Sequence, residues 1–167
     1  MNWSAFASEA PELARLGQER FDAAGLVLVG TIRRDGSPRI SPVEPLITDG
    51  ELYLGMMWQS KKALDLVRDA RCVLHSVVSK ADASEGEFKL WGRARDVVGP
   101  EERARCADAY VAKINWRPSE PYHLFAVEIE SASWIKSDGE GQLAVRWRPG
   151  RAAETSVRRW TGSGYGG

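Results

Sequence analysis

Apolar and polar positions change their spacing along this chain, and the changes separate helices from strands. In SEAPELARLGQERFDA, Leu13, Leu16 and Phe21 recur at near-helical intervals, with Ser8 as a cap and Pro11 near the first turn. That pattern predicts a helix over residues 8–23. After Gly25 the texture becomes β-branched. LVLVGTIRR predicts a strand, DGSP a turn, RISPVEPLI a second strand, and TDG a turn into a third, ELYLGMM. Two Asp-Gly turns between three apolar runs predict an antiparallel meander. Pro38, Pro42 and Pro45 cannot donate to a ladder, so the second strand is expected to be irregular, bulged or at an edge.

Further along, SKKALDLVRD places Ala63, Leu64 and Val67 on one face of a short helix. RCVLHSVV and EFKLWGRARDVV read as strands joined by the polar SKADASEGE. GPEERARCADAYVAKI has proline at its first helical position and acids in its first turn, both start signals. HLFAVEIESASWIK predicts a long strand, GQLAVRWRPG a last strand or extended arm, and the glycine-rich TGSGYGG a flexible tail. The sum is a mainly β chain: six or seven antiparallel strands with short flanking helices, a barrel rather than a doubly wound sheet. No repeat or linker divides it, so one domain is expected, with a core over about 12–136, a C-terminal arm over 137–160 and a tail over 161–167.

Composition narrows the partners. The 167 residues are 43% hydrophobic and 28% charged with a formal net charge of zero, so no global field recruits nucleic acid or an anionic membrane. Anion selectivity, if present, has to be local. Cys72 and Cys106 lie far apart, and with only two histidines they make no metal set. They read as buried, reduced thiols. No apolar stretch is long enough to span a bilayer, and MNWSAFASEAPEL lacks a charged start followed by an apolar block. These features predict a soluble, cytoplasmic chain.

The sharpest local signal is MMWQSKKALDL. Ser60 can cap a helix that starts at Lys61, leaving backbone N–H groups and the positive dipole end exposed. Lys61 and Lys62 oppose that dipole, an arrangement that makes sense if an anion such as a phosphate sits in front of it. Solvated surface lysines are the plain alternative. Arg39 and Ser41, on the strand expected to pair with LYLGMM, can project beside the same helix start, or lie on the solvent face of an edge strand. Lys89, Trp91 and Arg93 alternate on one face, and Gly92 permits close backbone approach. Trp147 between Arg146 and Arg148 poses the same choice between a ring-stacking residue and core cover. His75, His123 and Glu44 lack a nucleophile or second acid at any recognisable spacing, and no G-x-S-x-G, G-x-G-x-x-G or P-loop occurs. No catalytic side chain is identified.

The order of pieces in LVGTIRRDGSPRISPVEPLITDGELYLGMMWQSKKALDLVRDARCVLHSV resembles the flavin-binding split β-barrel of the pyridoxamine 5'-phosphate oxidase-like superfamily. The resemblance implies a homodimer with two FMN sites at the subunit interface. Arg39, Ile40, Ser41, Pro42 and Val43 would run along the isoalloxazine ring, and Leu54, Gly55 and Met56 would lie beneath it. Ser60, Lys61 and Lys62 would hold the phosphate, Lys89 and Trp91 would come from the second subunit, and Trp147 would match an aromatic near the ring. The C-terminal QLAVRWRPGRAAETSVRRW has arginines but lacks the substrate-binding histidine of true pyridoxamine 5'-phosphate oxidases. The resemblance therefore points to an FMN-dependent oxidoreductase of a small conjugated substrate, with a coenzyme F420-dependent reductase or a non-catalytic flavin or haem binder as alternatives. Arg33, Arg34, Arg39, Lys61 and Lys62 would suit the anionic tail of F420 as well as FMN. Lys89 is the residue expected near the N1/C2 carbonyl side of the ring.

Overall fold

The computed structural model describes residues 1–160; the glycine-rich tail, expected to be flexible, lies outside them. The N-terminal helix is broken in two: α1 spans Trp3–Glu9 and α2 spans Pro11–Ala24. Asn2 caps α1, its Oδ1 accepting from the Ala5 N–H at 3.0 Å. Ser8 is therefore inside a helix rather than at its start, and its hydroxyl donates to the Ser4 carbonyl. Pro11 opens α2 at its first position, and Gly25, at φ 66°, closes it in the left-handed region. Leu13 and Phe21 of α2 join Trp3 and Phe6 of α1 against the sheet. Gly17 lets α2 approach closely, since a Cβ there would sit 2.7 Å from the Phe88 ring.

The strands are β1 (Val27–Ile32), β2 (Pro38–Val43), β3 (Pro45–Thr48), β4 (Glu51–Met57), β5 (Arg71–Ser76), β6 (Glu87–Asp96), β7 (Tyr122–Ser137), β8 (Gly141–Trp147) and β9 (Glu154–Arg159). Between them lie α3 (Lys61–Arg68) and α4 (Pro100–Ile114). All pairings are antiparallel, in the order β2-β1-β5-β6-β7-β4-β3, with β8 on β7 and β9 on β8. The sheet curls without closing, which makes a split barrel.

The expected meander is replaced by two separate hairpins. RISPVEPLI is two strands, not one: β2 pairs only with β1, and β3 with β4. The break falls at Glu44, between Pro42 and Pro45, where the missing donors stop a continuous ladder. β2 and β3 thus lie at opposite ends of the strand order although one residue separates them. The described strands number nine rather than six or seven. The proline break adds one and β9 another; every residue of β9 is exposed, so no apolar alternation marked it.

Among the described residues, two apolar clusters form the core. The larger gathers Phe6, Phe21, Phe88, Leu90 and Trp147 beneath α1 and α2. The smaller packs Tyr53, Cys106, Tyr110 and Leu124 beneath α4. Among the described residues no helix is long and apolar enough to cross a membrane.

Candidate functional site

The end of β4 and the start of α3 are joined by a turn in which the Ser60 N–H donates to the Met57 carbonyl at 3.1 Å. Gln59 occupies the left-handed region at φ 58°, a position in such a turn that glycine or asparagine takes with less strain. Ser60 has the extended backbone of an N-cap, and its carbonyl accepts from Leu64 N as the first helical bond. Its hydroxyl does not cap. The Oγ accepts no N–H of the helix and is buried without any partner among the described residues. Lys62 bends back so that its ammonium donates to the Pro42 carbonyl at 3.0 Å, whereas Lys61 borders an open cavity.

That cavity, about 670 Å³, lies open between the β1–β2 hairpin and the flank of α3. Arg33, Arg34, Arg39, Lys61 and Arg68 supply its cations. Its two carboxylates are already engaged. Asp35 accepts from the Ser37 hydroxyl at 2.7 Å and from the Ser37 N–H at 3.0 Å, which holds its pKa below the usual value. Asp65, only 4% exposed, accepts from Arg39 Nε at 2.6 Å and from the Thr31 hydroxyl at 3.0 Å, with Arg68 at 3.4 Å. Burial pushes the Asp65 carboxyl up, but the bonds from Arg39 and Thr31, the Arg39 charge and Arg68 together bring it below its ordinary value. Arg68 also donates to the Ile32 carbonyl. Arg33, Arg34 and Lys61 have no hydrogen bond from their side chains to any described residue, so the cavity presents more positive charge than its acids consume.

The residues expected at one site are dispersed. Arg39 and Ser41 do not lie on a strand paired with β4, but alternation along β2 turns them away from exposed Ile40 and Pro42, and Arg39 still reaches α3. Val43, Leu54 and Met56 are buried in the large core. At Gly55, β3 has ended, and the Gly55 N–H donates instead to the Tyr110 hydroxyl at 3.0 Å. Lys89 and Trp91 stand on the outer face of β6, outside the cavity, and the Lys89 ammonium donates to Glu87 at 2.8 Å. Glu87 also meets His75 Nε2 at 3.1 Å. Trp147 is 2% exposed and packs 4.8 Å from Phe6, in the large core; here it covers the interior. With Arg146 and Arg148, Trp147 also lines a separate cavity of about 200 Å³. Cys72 and Cys106 are free and buried, and burial pushes the Cys72 thiol up to about 12.

Asp65, Thr31, Arg68 and Trp58 escaped the sequence reading. The i,i+3 spacing of Asp65 and Arg68 was visible, but only the fold brings Thr31 and Arg39 to the same carboxylate. Trp58 stacks on His123 with ring centroids 4.6 Å apart and planes 14° apart, a contact between β7 and a turn that no local spacing announces.

Residues 17–135 match the family profile described as pyridoxamine 5'-phosphate oxidase. The chain belongs to the pyridoxamine 5'-phosphate oxidase family. Members of this family bind flavin or haem-type ligands and commonly dimerise. No curated protein sequence matches the chain. Among solved structures it is similar to ChuZ of Campylobacter jejuni, at 13% identity and a TM-score of 0.68, over 90% of this chain and 63% of that one. It is also similar to PhzG of Burkholderia lata 383, crystallised with tetrahydrophenazine-1-carboxylic acid (12% identity, TM-score 0.62, 90% of this chain and 93% of that one). A haem-binding protein of Mycobacterium smegmatis shares 19% identity, with a TM-score of 0.56 over 85% of this chain and 57% of that one. At these identities the likeness is one of fold.

Proposed function

We propose that the chain binds FMN and acts as an oxidoreductase on a small, planar, conjugated substrate. The observation that carries this reading is Ser60. Its hydroxyl is buried without a partner among the described residues at the head of α3, next to Lys61 and on the helix whose Asp65 pairs with Arg39. A phosphate there would accept from the Ser60 hydroxyl, the first N–H groups of α3 and the Lys61 ammonium together. It would also offset the dipole cost of two lysines. Lys62 can join by leaving one exposed bond to Pro42, at about 1 kcal/mol.

In this reading the bound flavin supplies the hydride chemistry, and the chain holds and orients it. Ser60, Lys61 and Lys62 hold the phosphate, while Arg39–Val43 and Leu54–Met56 flank the ring. The reading includes a homodimer. By strand register, Ile40, Gly30, Val73 and Trp91 form one row across the outer face, and Ile40 is 72% exposed. A second copy covering that row would carry its Lys89 and Trp91 toward the first copy's ring.

One feature supports coenzyme F420 as a second reading: Arg33 and Arg34 extend the cationic surface beyond what a single phosphate needs. Haem is supported less. His75 commits its nitrogens to Ser76 and Glu87, and the unpartnered Nε2 of His123 is buried.

Equilibrium binding of FMN and of F420 to the apo protein, followed by fluorescence quenching, tests the proposal. Tight FMN binding is expected, with photoreduced FMN reoxidised by added acceptors. F420 binding with weak FMN binding would transfer the proposal to deazaflavin chemistry. Binding of neither would return Lys61 and Lys62 to ordinary surface charge.

A further inference from the structure

The turn between β4 and α3 carries a feature that the phosphate cradle does not use. Trp58 leaves 52% of its surface open, next to Met57 at 80%. Trp58 is fixed. One face of its indole lies on the His123 ring, which is stacked in turn with Phe125 at 6.0 Å and 2° between planes. His123 is 8% exposed and Phe125 1%, so the two rings beneath the indole belong to the interior. The β4–β7 register, with Met56 opposite His123, sets the height of the stack. The turn sets its tilt, through the Ser60–Met57 bond and the left-handed Gln59. Among the described residues, no ring lies against the opposite face of the indole.

We infer that Trp58 is the stacking platform for the planar ring of the substrate. The inference rests on the proposed oxidoreductase function for its choice of occupant, and on the stack for its geometry. An indole is electron-rich and its π face is negative, so its preferred partner is a flat, electron-poor ring in offset stacking. A compound able to accept a hydride is electron-poor, so ring complementarity and the proposed chemistry select the same class: quinone-like or nitroaromatic rings rather than saturated ones. The platform is ordered before the ligand arrives, so stacking on it costs little side-chain entropy. Trp58 also stands two residues before Ser60. Leu54 and Met56, assigned to the cofactor ring, are buried, whereas Trp58 looks outward, so one turn would separate a cofactor side from a substrate side.

The test is 19F NMR of the full chain labelled with 5-fluorotryptophan. The sequence holds seven tryptophans, and Trp58→Phe assigns the Trp58 signal. The probes are 4-nitrobenzoate and, as a saturated control, cyclohexanecarboxylate, each with and without FMN, while FMN binding is followed separately by its visible absorbance. The Trp58 signal is expected to move with 4-nitrobenzoate and to stay with cyclohexanecarboxylate. Trp58→Leu is expected to weaken nitrobenzoate binding about fivefold or more, as loss of an aromatic pair does. A Trp58 signal that moves with FMN alone would make the indole a cofactor contact and overturn the inference. So would one that responds equally to both acids, to neither, or only to protein concentration, the last meaning that a second copy covers it. If 4-nitrobenzoate moves Trp58 while FMN does not bind, the platform stands and the FMN reading falls.

Discussion

Arg39 Nε lies 2.6 Å from Asp65, and this contact ties the edge strand β2 to α3, the helix that heads the proposed anion site. Asp65 also receives Thr31 from β1 and Arg68 from its own helix, so three elements converge on a carboxylate with almost no access to water. Removing it leaves two arginines uncompensated. Asp65→Ala is expected to cost about 2–3 kcal/mol in urea unfolding, below the range for fully buried pairs, because Arg39 keeps 24% of its side chain in solvent. The pH dependence has a definite sign. The folded pKa is depressed, so the stabilisation is complete above the ordinary carboxylate value of about 4 and is lost as pH falls through the lower folded value. The stability gap between wild type and Asp65→Asn should therefore narrow below pH 4, and a gap that widens on acidification would contradict the assignment.

Ser60 offers a cleaner separation of folding from binding. Its hydroxyl caps nothing and is buried without a partner, so Ser60→Ala removes an unsatisfied group and no native bond. The apo protein should melt at the same temperature or slightly higher. FMN affinity should fall about tenfold or more, the worth of a charge-assisted bond to phosphate. Calorimetry on both forms reads the two effects independently, and a destabilised apo variant would mean the hydroxyl has a structural role.

How far these residues could be found without the fold depends on the range of their contacts. The helix start at Lys61 was legible because Ser60 is a local N-cap signal, although its hydroxyl makes no cap bond, and so were α4, with its proline and first-turn acids, and the long β7. The alternation Lys89-Trp91-Arg93 also placed those side chains correctly on one face. Topology at Glu44 was not legible, since two prolines announce an irregular strand without saying that its halves join opposite ends of a sheet. Trp147 illustrates the other limit. Flanked by arginines, it reads equally as a ring-stacking residue or as core cover, and only the arrival of Phe6 from α1, far away in sequence, shows that its ring packs in the core. Asp65 failed for the same reason, as its partners Thr31 and Arg39 come from a distant hairpin.

Gly92 was legible and gives a sharp stability prediction. A Cβ at this position would lie 2.3 Å from the Glu128 carbonyl oxygen, at the bulge where the β6–β7 register shifts. Backbone cannot yield there as the end of a flexible side chain would. Gly92→Ala is expected to destabilise by about 2 kcal/mol or more, measured as a lowered urea midpoint. A substitution tolerated within about 0.5 kcal/mol would show that the two strands can separate locally at no cost.

Two tyrosines in the core beneath α4 make opposite predictions from the same chemistry. Burial raises the pKa of both, so both are neutral phenols near pH 7. The Tyr110 hydroxyl accepts from the Gly55 N–H at 3.0 Å and donates to the Glu44 carbonyl at 3.4 Å, joining β4 to the break between β2 and β3. Tyr110→Phe strands both groups at the split of the barrel and should cost about 1–3 kcal/mol. It should also weaken FMN binding, because the freed segment is the one expected to lie beneath the ring. The Tyr122 hydroxyl is also buried but has no partner among the described residues. Tyr122→Phe deletes an unsatisfied group while keeping the ring that Arg103 covers at 4.2 Å, so its stability should be unchanged or higher and its FMN affinity unaffected. Urea melts and FMN titrations of the two variants, run side by side, decide the matter: equal losses would mean that ring packing alone, and not the bond across the split, holds α4 in place.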